Sequence, residues 1–214
     1  MENLENYPQL VRPKLVIIDS HALIHRAFHA LPPMTNQKGE VLNAVYGYVS
    51  VFLKILKDMD PQYIVAAFDL PQPTFRHEEF EEYKAHRPKA PDELIVQFDK
   101  VKEVMRAFGV PIMEMPGYEA DDVLGTICEK VKEQKLNIIS IILTGDLDTL
   151  QLVDDEKTIV YTLKKGITDT VIYDEKAVID RYGLRPNQMV DFKGLKGDPS
   201  DNIPGVHGIG EKGA

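Results

Sequence analysis

Lys14-Leu15-Val16-Ile17-Ile18-Asp19 is the stretch on which the reading of this chain turns. Its apolar centre is continuous and mostly β-branched, and it ends on a carboxylate. An alternating pattern would mark a strand with one wet face; a continuous one marks a strand buried on both faces, as in a parallel sheet. Working outward, a helical stretch follows over Ala22–Ala30. Ala44–Met59 carries apolar residues at helical spacing (Val45, Tyr48, Val49, Phe52, Leu53, Leu56) until Pro61 stops it. Tyr63–Phe68 reads as a second strand, followed at once by Asp69. Pro91–Phe108 is an amphipathic helix, Val110–Glu114 a third strand, and Pro116-Gly117 a turn. Ala120–Gln134 reads as a helix and Asn137–Leu143 as a fourth strand running into Thr144-Gly145-Asp146. Thr158–Thr162 and Asp169–Tyr173 read as a hairpin or edge strands, and Glu175–Tyr182 and Asn187–Leu195 as short helices. Strand and helix alternate, which makes the class α/β with a mainly parallel central sheet flanked by helices.

Ligands of such sheets bind beyond the carboxyl ends of the strands, and acids stand there in this sequence. The set is Asp19, Asp69, Glu119, Asp121, Asp122, Asp146, Asp148, Asp198 and Asp201. Each has an ordinary reading of its own. Asp19 before Ser20 suits a helix cap, Asp69 a turn, Glu119, Asp121 and Asp122 the favourable first turn of a helix, and Asp146 and Asp148 turn and cap positions. Helical spacing puts 119 and 122 on one face and 121 away from it. Those readings leave the coincidence at the strand ends unexplained. If the strands are neighbours, the acids converge, and like charges in a small volume raise one another's pKa or bind cations. Oxygen-only ligand sets select Mg²⁺, with Mn²⁺ as the alternative, and a pair of such ions about 4 Å apart suits phosphodiester hydrolysis.

The chain has 214 residues, 43% hydrophobic and 28% charged, enough for one core and a small extra module. A single cysteine, Cys128, excludes an intrachain disulfide and a cysteine-rich zinc site, and fits a cytoplasmic protein. The N-terminal stretch Met1–Lys14, with no basic start and no apolar run, has no signal-peptide pattern, and no apolar run elsewhere approaches the length of a membrane span. The net charge of −9 argues against unaided phosphate binding. That objection weakens if part of the acidic charge is neutralised by bound ions.

The ordered set Val16-Ile-Ile-Asp19, Ala67-Phe-Asp69, Phe75-Arg-His-Glu78, Tyr83-Lys-Ala-His-Arg87, Pro116-Gly-Tyr-Glu-Ala-Asp-Asp122, Thr144-Gly-Asp-Leu-Asp148 and Gly197-Asp-Pro-Ser-Asp-Asn-Ile-Pro-Gly-Val-His-Gly-Ile-Gly210 resembles the 5′-nuclease, flap endonuclease-like domain of bacterial DNA polymerase I. The likeness runs from about Leu15 to Ala214. It implies a PIN-like catalytic core over residues 1–184, then the start of a helix-three-turn-helix module over 185–214. By similarity Asp19, Asp69, Glu119 and Asp121 hold a first metal ion and Asp146, Asp148 and Asp198 a second, with Asp121 between them; Asp122 and Asp201 match acids that act through water. The implied reaction is hydrolysis of DNA at 5′ flaps, nicks and free 5′ ends, by a monomer, in replication and repair.

Between Phe75 and Lys89 the acids precede the bases, so the formal charge cancels while Lys84–Lys89 remains locally positive. Composition alone reads this as a solvated helix of mixed charge. The resemblance makes it an arch over the metal ions, with Lys84 and Arg87 as catalytic cations steadying charge on the phosphate, Tyr83 stacking on a base, and Arg76 and Arg26 near the DNA. Ile203–Gly210 reads as the hairpin of a helix–hairpin–helix, in which Gly205, Gly208 and Gly210 let backbone approach phosphate; the resemblance adds a monovalent cation there. Gly-x-Gly-x-x-Gly spacing is absent, which sets dinucleotide binding aside. The likeness breaks at Ala214, where the second hairpin helix begins, and Gly213 replaces a common threonine, so the module is expected to be partial. Two other readings compete: a DNA-binding fragment without turnover, and a phosphatase or ribonuclease of related fold. Against the phosphatase, His21 stands where haloacid-dehalogenase enzymes carry a second acid.

Overall fold

In the computed structural model, which describes residues 7–214, six strands form one sheet in the order β3-β2-β1-β4-β5-β6. Residues 1–6, part of the stretch read above as lacking a signal, lie outside the described residues. The strands are β1 (Lys14–Asp19), β2 (Tyr63–Ala67), β3 (Ile112–Met113), β4 (Ile139–Thr144), β5 (Thr158–Lys165) and β6 (Asp169–Tyr173). All neighbours pair in parallel except β5 and β6, which form an antiparallel hairpin at one edge. The α/β class with a mainly parallel sheet, expected from the sequence, is the one observed. The helices are α1 (Ser20–Ala30), α2 (Asn43–Met59), α3 (Phe75–Glu79), α4 (Asp92–Ala107), α5 (Ala120–Glu133), α6 (Glu175–Tyr182) and α7 (Met189–Lys196). Among the described residues no helix is long and apolar enough to cross a membrane.

The continuous apolar runs are explained by burial on both faces. Val16, Ile18, Ile141 and Leu143 point into a core shared with α1, α2 and α4, while Ile17, Ile142 and Val160 point into a second core against α5 and α7. The third strand is shorter than expected: only Ala66↔Ile112 and Ala67↔Met113 pair, so β3 is a two-residue edge. The segment between Phe75 and Lys89, which composition reads as a solvated helix of mixed charge, contains only the short α3 and then a run of turns over 81–86. The last helical stretch divides into a 3-10 turn at Pro186–Gln188 and α7.

The first turn of α2 has no side-chain cap of its own. Buried Gln97 of α4 fills the role at a distance, its Oε1 accepting from Ala44 N at 2.8 Å and Val45 N at 3.2 Å. Asn43 donates to the carbonyls of Phe28 and Leu31 at 3.0 and 3.3 Å, fixing α2 on the end of α1. The two helices touch at Gly47, where an added Cβ would lie 2.5 Å from Ala27 Cβ. Gly47→Ala is therefore expected to lower unfolding stability in urea by about 1–3 kcal/mol, the usual cost of overpacking. An unchanged midpoint would mean that the helices stand farther apart.

Candidate metal centre and nucleic-acid interface

Because β1, β2 and β4 are parallel neighbours, their carboxyl ends share one rim, and the chain leaves β1 toward β2 on one side and β4 toward β5 on the other. At that switch point lies a cleft of about 360 Å³ lined by Asp19, Asp69, Glu119, Asp121, Asp146, Asp148 and Asp201, with Lys84, Arg87, His21 and His25. Acid outnumbers base there, so the cleft attracts cations.

Asp19 ends β1 and also caps α1, accepting from Ala22 N at 3.1 Å; its second oxygen accepts from Thr144 Oγ1 at 2.6 Å. The helix-cap reading and the cleft reading of Asp19 therefore both hold. Register explains the Thr144 bond, since Ile18 pairs with Leu143 and the next residues face one another. Thr144 Oγ1 also accepts from Asp146 N at 2.8 Å, so one fully buried hydroxyl ties two acid-bearing loops. Asp69 accepts from Ala120 N at 2.6 Å, and its own N–H donates to His21 Nδ1 at 3.1 Å. That bond fixes His21 as the tautomer with an acceptor at Nδ1. Burial keeps its pKa low, at about 4, against the pull of Asp69.

Burial, then the charges of Asp69 and Asp146, raise the pKa of Asp19 to about 6, although Thr144 and Ala22 oppose the rise. Asp121 is lifted further, to about 8, first by the protein around it and then by Asp19, Asp146, Asp69 and Glu119. Its outer edge is open to solvent, so water screens part of that repulsion. These are hard oxygen donors carrying unrelieved charge, and their chemistry fits a divalent cation of the Mg²⁺ type. Among the described residues no three of them are already gathered tightly enough to enclose one ion. Basic side chains engage several of them instead.

Lys84 Nζ donates to Glu119 Oε1 at 2.8 Å, and Arg87 pairs with Asp201 and donates to the Ser200 carbonyl at 3.1 Å. Tyr83 is buried, its hydroxyl 3.1 Å from Glu119 and 3.2 Å from Asp201, so its ring is not free to stack on a base in this conformation. Lys84 holds a left-handed backbone, φ 54°, with its N–H on the Asp201 carbonyl at 3.0 Å. The 80–87 segment is thereby latched onto the C-terminal turn, and Asn202 donates to the Glu82 carbonyl at 2.8 Å.

Asp122, counted with the metal-binding acids in the sequence, is not part of the cleft lining. It accepts both guanidinium nitrogens of Arg76 at 2.7 and 2.8 Å and the Glu119 N–H at 2.9 Å. Arg76, assigned above to DNA, is engaged by that pair. Asp198 also stands outside the lining: Lys193 Nζ lies 2.8 Å from it and 2.6 Å from Asp148. Burial opposes the charge of Asp198, but Lys193 and Ser200 outweigh it and hold its pKa well below the usual range. Arg26 lines an adjoining open groove with His25, His29 and Asp146, and its Nε donates to the Gly166 carbonyl at 3.3 Å.

Of the hairpin glycines, Gly205 faces the chain itself: a Cβ there would lie 2.4 Å from Gly197 N. Gly208, at φ 81°, and Gly210 have open space where a side chain would stand. Sequence reasoning does not single out the roles of Thr144, His21 and Lys193. The first has a visible signal, a hydroxyl closing a mostly apolar strand; His21 gains meaning from Asp69 and Lys193 from Asp148, both distant in the chain.

The family model described as 5′-3′ exonuclease, N-terminal resolvase-like domain, matches residues 14–183, and that described as 5′-3′ exonuclease, C-terminal SAM fold, matches 184–214. This chain belongs to the 5′-3′ exonuclease family. Among relatives of this exonuclease family member, DNA polymerase I of Bacillus caldotenax is 46% identical over 204 residues, 95% of this chain and 23% of the relative. DNA polymerase I of Bacillus subtilis strain 168 is 44% identical over 203 residues, with the same coverage of 95% and 23%. The chain thus spans about a quarter of the length of these curated relatives. In fold it is similar to the T5 5′-exonuclease with bound zinc, at a TM-score of 0.72 and 24% identity over 94% of this chain and 72% of that one. The catalytic core of Rad2 in complex with DNA substrate is similar at a TM-score of 0.56 and 20% identity, over 94% and 60%.

The raised carboxyl of Asp121 gives a pH test. Its folded pKa exceeds the unfolded value of 3.8, so the folded state retains a proton that the unfolded state has lost, and stability falls as pH rises from about 4 to about 8. In chelated, metal-free protein, Asp121→Asn should be neutral at pH 4. At pH 8 it should stabilise by on the order of 1 kcal/mol, a figure discounted for solvent screening. Denaturant unfolding at the two pH values reads this directly; a variant less stable at pH 8 would show that the cleft acids do not repel one another.

Proposed function

We propose that this chain hydrolyses DNA phosphodiesters at 5′ flaps, nicks and free 5′ ends with two divalent ions, Mg²⁺ or Mn²⁺. The observation that carries the reading is the gathering of acids from β1, β2, β4 and the start of α5 into one cleft, flanked by Lys84 and Arg87. Membership of the 5′-3′ exonuclease family supports it. So does a neighbour in fold, the bacteriophage T5 flap endonuclease in a complex with DNA and metal ions.

In this reading Asp19, Asp69, Glu119 and Asp121 hold one ion and Asp146, Asp148 and Asp198 the other, while Asp122 and Asp201 act through water. The bound ions would supply charge neutralisation at the phosphate and a more acidic water as nucleophile. The protein's own part is positional. Thr144 sets the spacing of Asp19 and Asp146, and the Ala120 N–H orients Asp69. Lys84 and Arg87 exchange their carboxylate partners for the scissile phosphate and stabilise its added charge. That exchange requires the 80–87 segment to lift from Ser200 and Asp201, which also frees Tyr83 for a base; Arg76 reaches the strand by leaving Asp122. Arg26 extends the positive path along α1. Residues 185–214 grip duplex backbone through the open glycines Gly208 and Gly210, with Gly205 shaping the hairpin and a monovalent cation beside it; residues 1–184 form the catalytic unit. We further assign the chain as a cytoplasmic monomer, serving as the 5′-end-processing part of a polymerase I-like protein in replication and repair.

A labelled 5′-flap duplex tests the proposal. With Mg²⁺ it should be cut near the junction, with EDTA it should remain intact, and Asp146→Asn should slow cutting by at least about 100-fold, as expected for removal of an ion-holding carboxylate. A folded chain that takes up Mg²⁺ yet leaves flap DNA whole, or an Asp146→Asn protein of unaltered rate, rules the nuclease reading out.

A further inference from the structure

Asp148 and Asp198 belong to different parts of the chain. Asp148 opens the 3-10 helix Asp148–Leu152 after β4; Asp198 follows α7 and caps the turn Pro199–Asp201. One ammonium joins them: Lys193 Nζ is 2.6 Å from Asp148 Oδ1 and 2.8 Å from Asp198 Oδ2. The other oxygen of Asp198 is fixed by Ser200, accepting from N at 2.9 Å and Oγ at 2.6 Å. One oxygen of Asp198 is thus held by its own turn and the other by a cation of this chain. The ammonium itself is not sealed in. The Lys193 side chain is 34% exposed and Asp148 36%, against 13% for Asp198. A flexible four-carbon stem with a route to water can leave its partners at small cost, whereas a buried guanidinium fork could not.

We infer that Lys193 is an internal counter-cation for the second ion position, holding Asp148 and Asp198 together in the ion-free protein and giving way when a divalent ion enters. The inference rests on the proposed two-ion reading of the cleft. Its physical basis is charge exchange at a shared set of oxygens. Without a cation the two acids would repel one another across the junction between the β4 loop and the C-terminal turn. One positive charge relieves that repulsion, and an incoming divalent ion relieves it more completely while meeting the hard-oxygen preference. The lysine then has two effects on ion binding that oppose one another: it keeps the acids in place, and it competes for them. Because Asp198 is anchored independently by Ser200 and by the bridge to Ile203, competition outweighs scaffolding. Lys193 is therefore a positioning residue that sets the affinity of the second ion and keeps it below that of the first. A purely structural salt bridge would do the opposite, since its loss would loosen the site.

The experiment uses the whole 214-residue chain and the metal alone. Calorimetric titration with MnCl₂ of wild type, Lys193→Met and Lys193→Arg should give two steps in each. Lys193→Met, of similar length but uncharged, should tighten the weaker step about 5- to 10-fold, the coupling expected of one partly exposed charge. Lys193→Arg should leave that step near wild type. Amine acetylation read residue by residue by mass spectrometry supplies an independent signal: Lys193 should be protected in chelated protein and several-fold more reactive once Mn²⁺ is added. A weaker step that is unchanged or looser in Lys193→Met, or Lys193 reactivity indifferent to the ion, overturns the inference while a tight first step leaves the nuclease reading standing. Absence of any ion uptake by folded wild-type protein overturns both.

Discussion

Mutual repulsion among carboxylates at the ends of parallel strands is the constraint around which this molecule is arranged. Parallel pairing of β1 with β2 and with β4 delivers the carboxyl ends of these three strands to the same rim, and burial of Val16, Ile18, Ile141 and Leu143 on one face with Ile17 and Ile142 on the other leaves the strands no freedom to shift register. A slip of one residue would turn each side chain to the opposite face. The acids that close these strands cannot avoid one another, so the apolar core, the most favourable term in the fold, enforces the least favourable contact in it.

The chain answers this repulsion with groups drawn from outside the sheet. Lys84 and Arg87 come from the turns after α3, Lys193 from α7, and each engages a different acid or pair of acids. Neutral donors contribute as well, since the Thr144 hydroxyl and the backbone N–H groups of Ala22 and Ala120 each satisfy one carboxylate oxygen. The two kinds of partner differ in consequence. A backbone N–H cannot leave, so Asp19 and Asp69 are fixed in direction. A lysine or arginine side chain can exchange its partner for another, so Glu119, Asp148 and Asp201 remain available. Fixed acids at the bottom and exchangeable acids around the edge form a site that is shaped in advance yet can change its occupants.

Much of this is legible in the sequence, for reasons that follow from periodicity. The buried strands announce themselves as unbroken apolar runs, and the acids stand out because each such run stops on or just before one. What the sequence hides depends on phase or on distance. Asp121 and Asp122 are adjacent letters with the same chemistry, and only the setting of the first turn of α5 sends one into the cleft and the other to Arg76. The third strand looks longer in the sequence than it is because Val110–Glu114 has strand-like composition, while the neighbouring strand offers pairing for only Ile112 and Met113. The latch between 80–87 and the C-terminal turn joins residues more than a hundred positions apart, and Lys193 reads as an ordinary helical lysine until Asp148 is brought beside it. Long-range electrostatic pairing leaves no local pattern to read.

The crossing of Gly197 and Gly205 carries one more implication. Backbone meets backbone there, with no room for a β-carbon on either side, and the Asp198–Ile203 bridge closes the loop between them. A clasp closed by main chain is strict about the number of residues it encloses. The Ser200 hydroxyl and the left-handed Asn202 support the loop's path, and adding or deleting one residue would swing both of its aspartates, Asp198 and Asp201, away from the rim at once. The length of that loop is therefore a constraint in its own right, separate from the chemistry of the acids it carries.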